Sequence, residues 1–251
     1  MRHWFAATTC FALVGFGLFT PTDAGEKGDK AGPKDNIPPS GFTALFNGKD
    51  LTNWQGMVTM KARKGMSKEE YAEAVKKANE KLKYWSVQDG ILIYKHEKGG
   101  ENLQTAKDYG NFELYCDWKI PPMGDSGIYL RGQPQVQIWD SDSNTGNLAN
   151  DKGVGSGGLW NNPRNTNGQK PLVNADRPVG EWNTFYIVMK GDKVNITLNG
   201  KKIIEDAPLL NYFEKDKETK KPLPVPERGP IELQQHGNIL WFKNIYVKEL
   251  D

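Results

Sequence analysis

The stretch NFELYCDWKI, Asn111–Ile120, decides the fold class. Phe112, Leu114, Cys116, Trp118 and Ile120 alternate without a break with Glu113, Tyr115, Asp117 and Lys119. A period of two is the signature of a strand with one face on a core, because successive strand side chains point to opposite faces. Cys116 shares the parity of the apolar set, so it reads as a small buried hydrophobe and not as a nucleophile.

Similar short runs continue on both sides. FTALF (Phe42–Phe46) leads into the turn NGKDLTNW, and WSVQDGILIY folds back at Asp89-Gly90. SGIYLR and QVQIW are two strands split by Gly132 and Pro134. TFYIVMK and VNITL form a hairpin at Gly191-Asp192, and LNGKKII turns at Asn199-Gly200. GPIELQQHG and NILWFKNIYVKEL close the chain. Regularly spaced strands with tight-turn dipeptides predict an all-β antiparallel sandwich or jelly roll. One helix interrupts it. Ser67 and Glu70 have capping-box spacing, and Tyr71, Val75, Ala78 and Leu82 make one apolar stripe, which predicts an inserted helix over 68–83 on the sandwich rim.

The composition fits one large globular domain: 251 residues, 37% hydrophobic and 25% charged. A formal net charge of +2 with dispersed basic residues implies no nucleic-acid partner. No Gly-rich strand–helix phosphate loop occurs, which argues against nucleotide folds. Arg2 and His3 precede an apolar run from Trp4 to Phe19, with small residues at Thr22 and Ala24. This predicts a secretory signal over residues 1–24, a secreted or periplasmic location, and no stable membrane insertion after cleavage. GEKGDKAGPKDNIPPS (Gly25–Ser40) reads as a disordered tether, with the domain spanning 41–251. Cys10 departs with the signal, so the lone Cys116 leaves the mature chain without an intrachain disulfide.

Parity also separates core from display in IYLRGQPQVQIWD, Ile128–Asp140. Val136 and Ile138 go to the core, which displays Gln135, Gln137 and Trp139. Ile128 and Leu130 go in, which displays Tyr129 and Arg131. In IELQQH, Ile231 and Leu233 go in, which displays Glu232, Gln234 and His236. Carboxamides, a guanidinium and aromatic rings suit sugar hydroxyls and sugar faces. The long loop 141–172, rich in Gly and Asn, follows the glutamine strand directly and brings Trp160 as one wall of a cleft. His236 is the best candidate for proton transfer, while His96 looks like an exposed loop residue. Asp140 and Asp142 suit either acid–base work or turn formation. The amides of QVQIWD cannot act as the carboxylate pair of a retaining glucanase.

GFTALFNGKDLTNWQG, WSVQDGIL, NFELYCDWKI, DSGIYLRG, PQVQIWD, GEWNTFYIVMKGDKVNITLNG and GPIELQQHGNILWFKNIYVKEL together resemble the 3-keto-disaccharide hydrolase domain family across Gly41–Leu250. The resemblance implies a concanavalin A-like jelly-roll sandwich of two antiparallel sheets, related in fold to laminarinase-type glucanases. It implies exported bacterial proteins acting on glycosides already oxidised to a ketone at C3. Many members carry Glu where this chain has Gln135.

The implied chemistry is removal of the acidified C2 proton, expulsion of the C1 oxygen and addition of water to the enone. His236 is then expected as base or acid, with Arg131 or a divalent metal ion polarising the ketone. Gln135, Gln137 and Gln234 hold hydroxyls, together with Tyr129, Trp139 and Trp160. Glu113, Glu232 and Asp140 are the reserve acids. The alternative is a non-catalytic carbohydrate-binding module of the same fold.

Overall fold

The computed structural model describes residues 32, 34–95, 99–143 and 151–251. The leader, half of the tether and His96 lie outside the described residues.

Among the described residues, thirteen strands form two antiparallel sheets. In chain order they are β1 (Thr43–Ala44), β2 (Trp54–Gly56), β3 (Trp85–Gln88), β4 (Ile91–Tyr94), β5 (Leu103–Thr105), β6 (Phe112–Lys119) and β7 (Asp125–Leu130). They continue as β8 (Gln133–Trp139), β9 (Asn183–Lys190), β10 (Lys193–Leu198), β11 (Lys201–Pro208), β12 (Glu232–Gln234) and β13 (Leu240–Glu249). The eight-stranded sheet runs β11-β10-β9-β6-β13-β4-β3, with β1 also on β13; the five-stranded sheet runs β2-β5-β12-β7-β8. This is the predicted jelly-roll sandwich.

Phe112, Leu114, Cys116 and Trp118 of β6 are all buried against Ile128, Leu130, Val136, Ile138 and Leu233 of the facing sheet. Cys116 is a free buried thiol, and burial pushes its pKa up, so it is the packing residue its parity predicts. The Asp89-Gly90 and Asn199-Gly200 pairs both take positive φ, as two-residue hairpin turns require.

The insertion contains two helices, α1 (Met60–Arg63) and α2 (Lys68–Asn79), and a 3-10 turn at Glu80–Tyr84. Both halves of the Ser67/Glu70 capping box form. The predicted single helix over 68–83 therefore ends at Asn79 and tightens for its last turn. Gly56 of β2 lies so close to α2 that a Cβ there would fall 2.5 Å from the Ala78 carbonyl. In the long loop, residues 157–159 run along β8. Gly157 N–H donates to Gln137, Gly158 C=O accepts from Gln137, and Leu159 bridges Val136.

The end of the expected tether is docked. Asp35 pairs with Lys243 at 2.7 Å, and Asn36 exchanges hydrogen bonds with Asn244 and donates to Gly90 C=O. Contacts to the sandwich are therefore made by residues ahead of Gly41.

Candidate functional site

Sheet register arranges the outward side chains of the five-stranded sheet in rows. One row crosses all five strands: Gln55, Gln104, Glu232, Tyr129 and Gln135 are successive cross-strand partners. The next row holds Gln234, Gly127 and Gln137, and the last pairs Asp125 with Trp139. Directly opposed residues have Cβ atoms about 4.5–5.5 Å apart, so these groups share one surface.

A chain of polar contacts leads across this surface to solvent. Gln135 Nε2 donates to Gln137 Oε1 at 2.5 Å, and Gln137 Nε2 donates to Asp125 Oδ1 at 2.8 Å. The other Asp125 oxygen lies 3.6 Å from His236 Nδ1, and the His236 side chain is 59% exposed. That separation is too long for a hydrogen bond as it stands, but it lies within ion-pair range. Burial raises the Asp125 pKa, and the His236 charge and the Gln137 amide pull it back only in part. Gly127 makes room for the arrangement, since a Cβ there would come within 2.8 Å of Gln135 Oε1. Sequence reasoning found His236 and both glutamines and missed Asp125. The signal was available: Asp125, Gly127 and Tyr129 share parity in DSGIYLRG.

The floor has unmet hydrogen-bonding capacity. Gln104 Nε2, Gln133 Oε1, Gln135 Oε1 and Gln234 Oε1 are buried without a partner among the described residues. An unsatisfied buried polar atom costs about 1–3 kcal/mol, and ligand hydroxyls would relieve that cost. The Tyr129 hydroxyl accepts from Gln234 Nε2 at 3.3 Å, and burial raises its pKa, which keeps it protonated and able to donate.

Several predicted residues are placed elsewhere. Arg131 is not a strand residue: with Gly132 it forms the β7–β8 turn, both at positive φ, so strand parity does not apply to it. Its guanidinium is buried and donates to the carbonyls of Gly110, Gly191 and Pro226 and to Asn111 Oδ1. It cannot serve a ketone beside His236. Glu113 belongs to β6 of the other sheet, where it accepts from Tyr186 Oη and pairs with Lys248.

Asp140 is a turn-former. Burial favours its neutral form, but the N–H groups of Met123, Ser143 and Asp142 outweigh that and lower its pKa. Trp139 is on the display face but covered: its Nε1 donates to Gly155 C=O, and its ring packs on Trp160 at 5.1 Å. The two tryptophans form a side wall and not an open platform.

The other end of the floor opens into a cavity of about 390 Å³ lined by Met57, Met60, Tyr129, Gln133, Phe213 and Glu232, among others. Burial drives the Glu232 pKa up to about 8. Glu101 pushes in the same direction, while Asn102 and Arg63 oppose. Among the described residues no three His, Cys, Asp or Glu side chains converge in a metal-binding group.

The family model described as the 3-keto-alpha-glucoside-1,2-lyase-like domain matches residues 41–248. The 3-keto-disaccharide hydrolase of Bacteroides thetaiotaomicron is 24% identical over 262 residues, covering 86% of this chain and 80% of its own length. Two crystal structures from Parabacteroides distasonis, each described as a candidate glycosyl hydrolase, share the fold. One has a TM-score of 0.58 at 25% identity, covering 87% of this chain and 100% of that chain. The other has a TM-score of 0.56 at 27% identity, covering 84% and 85%.

Proposed function

The chain belongs to the 3-keto-alpha-glucoside-1,2-lyase-like domain family, and on that premise we propose that it cleaves glycosides already carrying a ketone at C3, with His236 as the proton-transferring group and Asp125 as the carboxylate that positions it. The coarser class, a glycoside hydrolase-like enzyme acting on carbohydrate, rests on the family and its relatives. The observation that carries the finer reading is the contact chain Gln135–Gln137–Asp125–His236, which ends on an exposed imidazole.

The reaction divides into two halves. The C3 ketone acidifies the C2 proton, and neutral His236 removes it while the Asp125 carboxylate steadies the imidazolium that forms. The electron pair left at C2 becomes the C1–C2 double bond as the C1–O bond breaks, and the departing oxygen takes the proton from the His236 imidazolium, which returns the imidazole to its neutral form. Water then adds across the enone, its oxygen to C1 and a proton to C2, so the net reaction is hydrolysis. With Arg131 held elsewhere, polarisation of the ketone falls to the Tyr129 hydroxyl and the floor's amide N–H groups. No step here is routed through a metal ion. A divalent ion, the alternative to Arg131 for polarising the ketone, is tested by a chelator arm of the same assay.

The test is a panel of 3-keto-disaccharides followed for release of reducing sugar, with and without chelator. His236→Ala lowers kcat/KM by about 10²–10⁴, the usual range for a lost proton-transfer group. Asp125→Asn gives a smaller fall, because it orients the imidazole without receiving the substrate proton. No turnover of any panel member by the wild type overturns the proposal. The non-catalytic binding-module reading draws on Gln135 and Gln137, which put amides where a two-carboxylate glycosidase needs acids. It predicts that unoxidised disaccharides bind the wild type and His236→Ala equally, with no turnover by either. Export through the N-terminal leader belongs to the same proposal, and N-terminal sequencing of the mature protein checks it.

A further inference from the structure

The cavity over Glu232 is built largely by segments added to the sandwich. Met57, Thr59, Met60 and Lys61 come from the stretch ahead of α2, and Phe213 and Glu214 from the loop after β11. Its volume, about 390 Å³, lies within the range of small-molecule sites, about 300–1,000 Å³. Gly132 keeps it open: a Cβ there would fall 2.7 Å from Met60 Cγ and 3.4 Å from Glu232 Oε1.

Its walls and base differ in chemistry. Met57, Met60 and Phe213 offer apolar surface, and the Phe213 ring lies 6.0 Å from that of Tyr129. The base carries two polar side chains that are almost wholly buried, Glu232 at 3% exposure and Gln133 at 1%. Gln133 Oε1 has no partner among the described residues. A neutral Glu232 carboxyl donates one hydrogen bond and accepts others.

Three ligand classes can be compared at this base. A hydroxyl group both donates and accepts, so it can satisfy Gln133 Oε1 and Glu232 together. A carboxylate or phosphate only accepts. It leaves Gln133 unpaired and sets a negative charge against Glu232. The nearby cations do not offset this, because Arg63 is held by both oxygens of Asp108 at 2.9 and 2.6 Å and Lys64 by Glu214 at 2.8 Å. Lys61 is exposed at the rim. A wholly apolar ligand leaves both base groups unpaired.

We propose that this cavity is a subsite for an uncharged polyhydroxylated ring, whose hydroxyls meet Glu232 and Gln133 and whose C–H face lies on Met57, Met60 and Phe213. The subsite rests on the reading of the floor as a glycoside site and adds to it: this ring is the part of the substrate remote from His236. Glu232 and Gln234 are two strand positions apart, roughly 7 Å, with His236 beyond them. Glu232 and His236 are thus four chain positions apart, roughly 13 Å if extended, so a ring over Glu232 lies at the end of the floor away from a ring reacting beside His236. The uncharged ring is the specificity claim, and uronic or phosphorylated sugars are refused here.

The test uses the full chain and reads binding separately from turnover. Methyl glucoside and methyl glucuronoside are titrated by calorimetry and saturation-transfer NMR at about pH 6 and about pH 9, either side of the Glu232 value near 8. The expected result is that the glucoside binds and the glucuronoside is weaker by roughly tenfold or more. Met60→Trp fills the cavity and removes glucoside binding. Glu232→Leu weakens it at least roughly tenfold, while Glu232→Gln, which keeps a donor, retains it. Raising the pH weakens the wild type and leaves Glu232→Gln unmoved. Equal affinity for the two sugars, no binding of the glucoside, or binding indifferent to both Met60→Trp and Glu232→Leu overturns the subsite. Failure of the catalytic reading appears instead as no 3-keto-disaccharide turnover by the wild type, which leaves these binding results intact.

Discussion

Arg131 and Asp125 show what parity can and cannot reveal. Both lie in DSGIYLRG, and both have the display-face parity. Asp125 obeys it because it begins β7; Arg131 escapes it because the strand has already turned. Glu232 was legible as a display residue, but its burial was not, since the insertion that covers it has no sequence link to β12.

That burial makes a prediction about stability. An ordinary glutamate sheds its proton near 4.5, whereas folded Glu232 holds its own to about 8. Between those values the native state binds more protons than the unfolded state. Stability therefore falls as pH rises through that window and levels off on either side. Urea unfolding of the wild type should lose roughly a few kcal/mol relative to Glu232→Gln between about pH 5 and about pH 8. A constant difference across that range would show that the carboxyl is not held neutral.

At the scale of elements, α2 was legible from its capping box and apolar stripe, and α1 was not, because four residues are too few to show a stripe. The rim position expected of the insertion proved specific: α2 lies on β2, with Gly56 against Ala78. Space, not backbone conformation, demands glycine at that position. Gly56→Ala forces the helix away from the strand, with an expected loss of about 1–3 kcal/mol, the usual cost of overpacking. Because α1 precedes α2 directly, the same substitution should loosen the wall carrying Met60. Faster amide exchange over residues 57–66 than in the wild type checks this. The long loop after β8 carries Trp160, whose ring packs on Trp139. Its pairing with β8 was hidden, because a Gly- and Asn-rich segment carries no alternation to read.

For the whole molecule, fold class and strand content followed from alternation and turn dipeptides, but strand order did not. Nothing local tells β12 that its neighbours are β5 and β7, partners more than a hundred residues away. The N-terminal clasp was invisible for the same reason, since a polar Gly- and Pro-rich run resembles a tether until its target is known. Removing residues up to Ile37 deletes the Asp35–Lys243 pair and the Asn36–Asn244 exchange. A loss of about 1–2 kcal/mol is expected, read as a fall in Tm of about 2–8 °C by scanning calorimetry. An unchanged Tm would mean that the clasp is decorative. The run of residues 157–159 along β8 has a consequence for behaviour in crowded solution. A sheet margin left open is a template on which foreign chains can polymerise. Here the last strand of the smaller sheet has its Val136–Gln137 stretch closed by its own polypeptide, so that margin offers fibre growth no foothold there.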